Sequence, residues 1–172
     1  MRNFPASIFA FAFMLTFFAC QKDETAAPIT VQESAFPNVD PALWPYYEAF
    51  EKEGAERGLV IDLAADNILG KIEELPEEHV AGQCSYGTAV DSEVTIDQGF
   101  WNDFSSHYIR EMVVFHELGH CYLKRGHKEG AHPDGTCLSI MRSGLEDCRD
   151  NYNLQTREEY LDELFGSAVI RN

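Results

Sequence analysis

The chain has 172 residues, with 13 lysines and arginines against 29 aspartates and glutamates, and a formal net charge of −16 at pH 7. Such an excess of acidic side chains repels phosphate groups, which argues against nucleic acid and anionic membrane surfaces as partners. The length is that of one domain, large enough to bury a core of its own.

The first residues predict export. Arg2 precedes an apolar stretch, residues 8–19, that is too short to cross a bilayer as a mature helix. The stretch ends in a small residue followed by Cys20, which resembles a bacterial lipobox, and residues 21–24 resemble the acidic export tag of some Gram-negative lipoproteins. These resemblances imply a signal peptide over 1–19, a lipid anchor on Cys20 and a surface-exposed outer-membrane lipoprotein. A plain secretory signal is the alternative.

A polar segment, residues 20–40, follows and predicts a flexible tether, because it contains two prolines and shows little hydrophobic periodicity. Residues 41–172 are predicted to form the folded domain. Its first element is a predicted amphipathic helix that carries Tyr46 and Phe50 and ends at Gly58.

Short apolar segments come next and predict strands. Val94 and Ile96 alternate with polar residues, which places both on one face of a strand. Residues 67–75 fit either a strand or a helix. The predicted strands or extended segments are 59–63, 82–86 and 93–97.

Residues 105–124 predict one long helix, because no glycine or proline interrupts the run from Tyr108 to Phe115. Apolar side chains occupy most of its circumference, and a helix of that kind is buried. The helix carries the sequence His-Glu-Leu-Gly-His at residues 116–120.

The two histidines of this motif, His116 and His120, lie one turn apart on one helical face, where two imidazoles can bind a single Zn²⁺. Glu117 lies beside that face and can act on a metal-bound water. If both histidines were ordinary core or surface residues, buried polar groups would need other partners. The motif therefore favours a zinc enzyme.

A catalytic zinc usually has three protein ligands, and His127 is the next histidine along the chain. On an unbroken helix it would lie about 10 Å beyond His120, so the chain must turn back between them. Gly126 offers the positive-φ position that ends a helix. His132 and Asp134 are the other candidates for the third ligand.

Residues 116–120, followed by Gly126 and His127, resemble the metzincin metallopeptidases and, among them, the matrixins. The family pattern is His-Glu-x-x-His-x-x-Gly-x-x-His; here the third histidine comes one residue late, and Leu123 replaces the helix-ending glycine. Residues 139–144, with Met141, resemble the Met-turn that lies beneath the metal in this family. A thermolysin-like site, with a later glutamate as third ligand, is the alternative; its candidates are Glu146, Glu158 and Glu159.

Four cysteines remain after Cys20, and an even number in an exported chain suggests two disulfides. A Cys137–Cys148 bridge would close the loop around the Met-turn. Cys84–Cys121 would then tie the strand region to the motif helix.

The order of elements suits an α+β, zincin-like single domain with a small strand-bearing upper part, a long active-site helix and a loop-rich lower part, closed by a helix near 156–165. The resemblance implies a zinc-dependent endopeptidase with His116, His120 and His127 as ligands and Glu117 as general base. Tyr152 is a candidate oxyanion donor.

The expected partner is a peptide or protein substrate, and the chain is expected to be a monomer. The alternative function is that of a non-catalytic, zinc-containing surface-binding lipoprotein. Acidic residues of the lower part that could bind structural Ca²⁺ are Asp134, Glu146, Asp147 and Asp150.

Overall fold

Helix α1, Trp44–Glu56, has Pro45 in its first turn, where the missing N–H costs no hydrogen bond. Gly58, at φ 81°, ends it as the sequence predicts. The structure, a computed structural model, describes residues 35–88, 90–144 and 149–166. The predicted signal peptide, Cys20 and most of the predicted tether lie outside this range.

Two residues of the predicted tether pack against the domain. Phe36 and Val39 are 4% and 7% exposed and belong to the hydrophobic core. Val39 also forms a parallel bridge with Gly70. The packed structure therefore includes residues before position 41.

In the described part of the chain, three strands form one mixed sheet in the order β1-β3-β2. β1 (Leu69–Glu73) pairs parallel to β3 (Val90–Asp97), and β2 (Gly82–Gly87) pairs antiparallel to β3. The strands predicted at 82–86 and 93–97 are confirmed, and the ambiguous segment 67–75 contains β1. No strand forms at 59–63. β2 lies at one edge of this sheet.

A short helix that the sequence did not predict, α2 (Gln98–Asp103), follows β3 directly. The Asp97 side chain ends the strand and caps the helix, because its Oδ1 accepts the Phe100 N–H at 2.7 Å.

Helix α3, His107–Cys121, is the predicted motif helix and runs through the centre of the core. Its Phe115 ring lies 5.1 Å from the Phe50 ring of α1. Helix α4, Arg157–Gly166, confirms the predicted closing helix, and its Phe165 ring lies 4.9 Å from Phe50. The motif helix is therefore enclosed by the sheet and by α1 and α4.

The described part of the segment between α3 and α4 has no long helix and no strand longer than an isolated bridge between Ala131 and Cys137. The α+β class with a loop-rich lower part is confirmed. Among the described residues, no helix is long and apolar enough to cross a membrane.

Candidate metal centre

Three histidines converge at the end of α3. His116 and His120 lie one turn apart on the helix, with their Nε2 atoms 3.0 Å apart. His127 comes from the following loop, and one ring nitrogen of each histidine lies within 4.8 Å of the others. These three side chains are the only group of this kind in the described part of the chain. The structure thus brings together the three predicted ligands.

The chain turns back towards the helix through a residue other than the expected one. Lys124 adopts a positive φ of 54°, whereas Gly126 does not, so the prediction for Gly126 is wrong. The Arg125 N–H then bonds to the Gly119 carbonyl at 2.9 Å. This reversal replaces the straight helical path, and it places His127 beside His120.

Backbone carbonyls fix the orientation of two of the imidazoles. His116 Nδ1 lies 2.6 Å from the Ile140 oxygen, and His120 Nδ1 lies 2.6 Å from the Arg125 oxygen. A carbonyl only accepts, so each Nδ1 carries the proton and each Nε2 presents a lone pair. Such contacts are the usual support of metal-binding histidines.

The histidine donor set fits a cation. Burial lowers the pKa of His116 to about 4 and also lowers the pKa of His120, which favours the neutral, metal-binding form of both rings. Two Nε2 lone pairs 3.0 Å apart cannot hydrogen-bond to each other. An ion bound at about 2.0–2.1 Å from imidazole nitrogens would satisfy both. Imidazole suits zinc and also copper, nickel and iron, so the donor set alone does not select the metal.

Glu117 lines the same cleft as the three histidines and is 4% exposed. Burial raises the pKa of its carboxyl to about 8. The edge strand lies directly against it, because a Cβ built on Gly82 would lie 2.9 Å from Glu117 Cγ. A bound cation would oppose the effect of burial and favour the carboxylate.

Met141 lies against the motif helix. A Cβ on Gly119 would meet the Met141 sulfur at 2.5 Å, so the glycine leaves room for this side chain. Ser139 Oγ accepts the Met141 N–H at 3.0 Å and holds the turn. The predicted Met-turn residue is therefore fully buried against the motif helix at Gly119.

An open cleft of about 1870 Å³ runs over the centre. Its lining includes all three histidines and Glu117, together with most of β2, the loop before it and part of α2. The apolar side chains of Met112 and Phe104 line it beside the motif. The three histidines and Glu117 therefore line one open cleft.

A disulfide joins the cleft wall to the motif helix. Cys84 of β2 bonds to Cys121, the residue after His120, with their Cα atoms 5.5 Å apart. This predicted pairing is confirmed. Cys137 is also disulfide-bonded, but its predicted partner Cys148 lies outside the described residues.

Other candidate ligands are occupied elsewhere. Asp134 accepts hydrogen bonds from the backbone and hydroxyl of Thr136, and neither Asp134 nor His132 belongs to the histidine group. Glu158 pairs with Arg57 at 2.8 Å, and Glu159 is exposed. Glu146 and Asp147, named as ligands for zinc or calcium, lie outside the described residues.

The prediction that Tyr152 is an oxyanion donor is wrong. Its side chain is 2% exposed and its hydroxyl donates to Glu111 Oε2 at 2.9 Å, so it faces the core instead of the cleft. The sequence analysis missed Gly82, although a glycine inside a strand often marks a close approach. The carbonyls of Ile140 and Arg125 were also missed, and main-chain acceptors leave no signal in a sequence.

The arrangement is a set of three imidazoles and one buried carboxyl that line one open cleft. Three protein ligands leave one coordination position for water or substrate, which is how catalytic zinc sites differ from structural ones. No protein-family model matches the chain, and no curated protein or solved structure matches it either.

Proposed function

We propose that this protein is a zinc-dependent endopeptidase of metzincin-like design. The observation that carries the proposal is the convergence of His116, His120 and His127 with the buried Glu117 at the base of an open cleft. A structural metal site needs no adjacent carboxyl and normally has four protein ligands. The donor set and the free position favour catalysis over a structural role.

In this proposal the three histidines hold the ion. When bound, zinc would lower the pKa of a water towards 7 and polarise a substrate carbonyl. Glu117 takes a proton from the attacking water and delivers it to the leaving amine. The backbone at Gly82 lies directly against this carboxyl.

A polypeptide substrate is supported by the cleft wall. β2 is at the edge of the sheet and lines the cleft over the metal centre. The unpaired side of an edge strand can pair with an extended peptide through main-chain hydrogen bonds. Such pairing would hold a peptide bond near Glu117 without requiring a particular side chain.

The test combines metal content with cleavage. We would measure bound metals by mass spectrometry in the wild type, His127→Ala and Glu117→Gln, and assay casein and a peptide library on the same samples. The proposal expects about one zinc per wild-type chain and cleavage that a chelator abolishes. His127→Ala should lose both, because two histidines alone hold zinc weakly.

Glu117→Gln is the decisive variant, since it should keep the zinc and lose turnover. Full hydrolysis by this variant would contradict the general-base role. Zinc bound by the wild type with no cleavage of any peptide would instead favour the non-catalytic surface-binding lipoprotein.

A further inference from the structure

One carboxylate, outside both the cleft and the histidine motif, connects the loops that support the metal ligands. Glu163 lies on α4 with a side chain 16% exposed. Its neighbours are Arg125, Lys128 and Ser139, which belong to the two loops that flank the centre. Each of these loops also supplies a backbone acceptor to a ligand.

The first loop is anchored through Arg125. Its guanidinium, 7% exposed, donates from Nη2 to Glu163 Oε1 at 2.6 Å. Nη1 donates to the Glu163 and Leu164 carbonyls at 3.0 and 2.8 Å, at the carboxyl end of α4. The carbonyl of the same arginine accepts the Nδ1 proton of His120. The side chain that Glu163 holds therefore fixes the backbone that orients this ligand.

The second loop is anchored through Ser139. Its hydroxyl donates to Glu163 Oε2 and accepts the Met141 N–H. Ile140, between these two residues, presents its carbonyl to His116 Nδ1 at 2.6 Å. The orientation of His116 thus depends on a turn that the same carboxylate holds.

The third connection flanks His127. Lys128 Nζ lies 2.9 Å from Glu163 Oε1. The Lys128 N–H also donates to the Met141 carbonyl at 2.8 Å, which joins the two loops directly. The residue after the third ligand is therefore held at both its backbone and its side chain.

We propose that Glu163 is a positioning residue for the metal centre, which holds through Arg125, Ser139 and Lys128 the loops that orient all three histidines. It does not touch the ion or the substrate. Partners that orient metal ligands affect metal affinity about 10–100-fold. This inference rests on the metal site of the proposed function but not on peptide hydrolysis.

The test compares Glu163→Gln with Glu159→Gln. The amide has the size of the carboxylate, but it has no charge and presents only one acceptor oxygen to the arginine, lysine and serine. Glu159 is exposed one turn earlier on α4, so its variant removes the same charge from the same helix. Affinity for Zn²⁺ would be measured by chelator competition, and the ligand geometry by the visible spectrum of the Co²⁺-substituted protein.

We expect Glu163→Gln to weaken Zn²⁺ affinity by about 10-fold or more and to alter the Co²⁺ spectrum, while Glu159→Gln matches the wild type. A variant that loses thermal stability but keeps wild-type affinity and spectrum would overturn the inference, because Glu163 would then only stabilise the fold. If Glu163→Gln does not fold, Ser139→Ala takes its place. Unchanged affinity in that variant would also overturn the inference.

The readouts separate this inference from the proposed function. A wild-type protein that binds Zn²⁺ without cleaving peptides would overturn the peptidase, yet the affinity comparison would still support or overturn the role of Glu163. A wild type with no affinity for Zn²⁺ or Co²⁺ would overturn both.

Discussion

Gly82 shows how one residue without a side chain can shape a site. A Cβ at this position would lie 2.9 Å from Cγ and 3.0 Å from Oε1 of Glu117. The edge strand can therefore approach the Glu117 carboxyl only because this residue is glycine. Burial raises the pKa of this carboxyl to about 8, and the backbone at Gly82 is part of its surroundings.

Gly82→Ala should impair turnover while leaving the metal in place. The added methyl group would displace the Glu117 carboxyl, and misplacing a catalytic group by about 1 Å can cost about 100-fold in rate. We expect kcat to fall about 10–100-fold with zinc content unchanged, measured by peptide cleavage and metal analysis. Ser85→Ala, at an exposed position of the same strand that does not line the cleft, is the control. Equal activity of the two variants would show that Glu117 tolerates the change.

The histidines and Glu117 could be predicted because their spacing follows directly from helical geometry. Two details of the same region could not. The turn after α3 uses Lys124 at positive φ although a glycine is two residues away. Its position depends on the tertiary bonds of Arg125, which come from residues almost forty positions later.

At the scale of elements, the long helix and the alternating strand were predictable because each has a local periodicity. α2 was not, since it has only six residues and depends on one aspartate cap. The packing of α3 against α1 and α4 could not be predicted either. Arg157 holds Glu111 at 2.7 Å and Glu53 at 2.8 Å, and contacts between such distant positions have no local pattern.

The Cys84–Cys121 disulfide should affect the binding of peptides in the cleft more than it affects the binding of metal. Replacing both cysteines with alanine removes the cross-link, and we expect a loss of about 2–4 kcal/mol in the free energy of unfolding. The double substitution also releases β2 from α3, so KM for peptides should rise while zinc content stays at the wild-type level. Denaturant unfolding and steady-state kinetics would measure the two effects. An unchanged KM would show that other contacts hold the strand.

Acid should weaken the bonds by which Glu163 of α4 holds the two loops. Burial raises the pKa of Glu163, but hydrogen bonds from Arg125, Ser139 and Lys128 outweigh it, so the net pKa lies below its ordinary value of 4.5. In acid the unfolded chain therefore binds more protons than the folded one, and stability falls as pH drops below 4.5.

To isolate the contribution of Glu163, we would remove metal with a chelator from both the wild type and Glu163→Gln. The free energy of unfolding of each protein would then be measured at pH 6 and at pH 3. The wild type should be the more stable protein at pH 6, and the difference should shrink at pH 3. A difference that is constant with pH would mean that the carboxylate charge contributes nothing.

For the whole molecule, composition and element order predicted the α+β class, but not the sheet order β1-β3-β2. The sheet combines a parallel strand pair with an antiparallel one. Which strands become neighbours depends on the connections between them, and hydrophobic patterns do not specify those. Export stays a prediction, although the disulfide suits an oxidising compartment.

Cys20→Ser tests the anchor. If Cys20 carries lipid, the variant should move from the membrane fraction to the soluble fraction, because hydrophobic chains supply the membrane affinity. Fractionation followed by immunoblotting would measure the distribution, and metal content should stay unchanged. A wild type already found in the soluble fraction would favour a plain secretory signal.

The order of the elements has a consequence for biosynthesis. Arg125, whose carbonyl orients His120, is held by the Leu164 carbonyl and the Glu163 carboxylate of the last described helix. The ribosome makes that helix after every histidine of the centre, so the loops around the ligands have no anchor while the chain emerges. A nascent or translocating chain thus carries the motif without its supports. We therefore expect the histidine group to reach its final geometry only when α4 docks, which on the predicted export route occurs after the protein has left the cytoplasm.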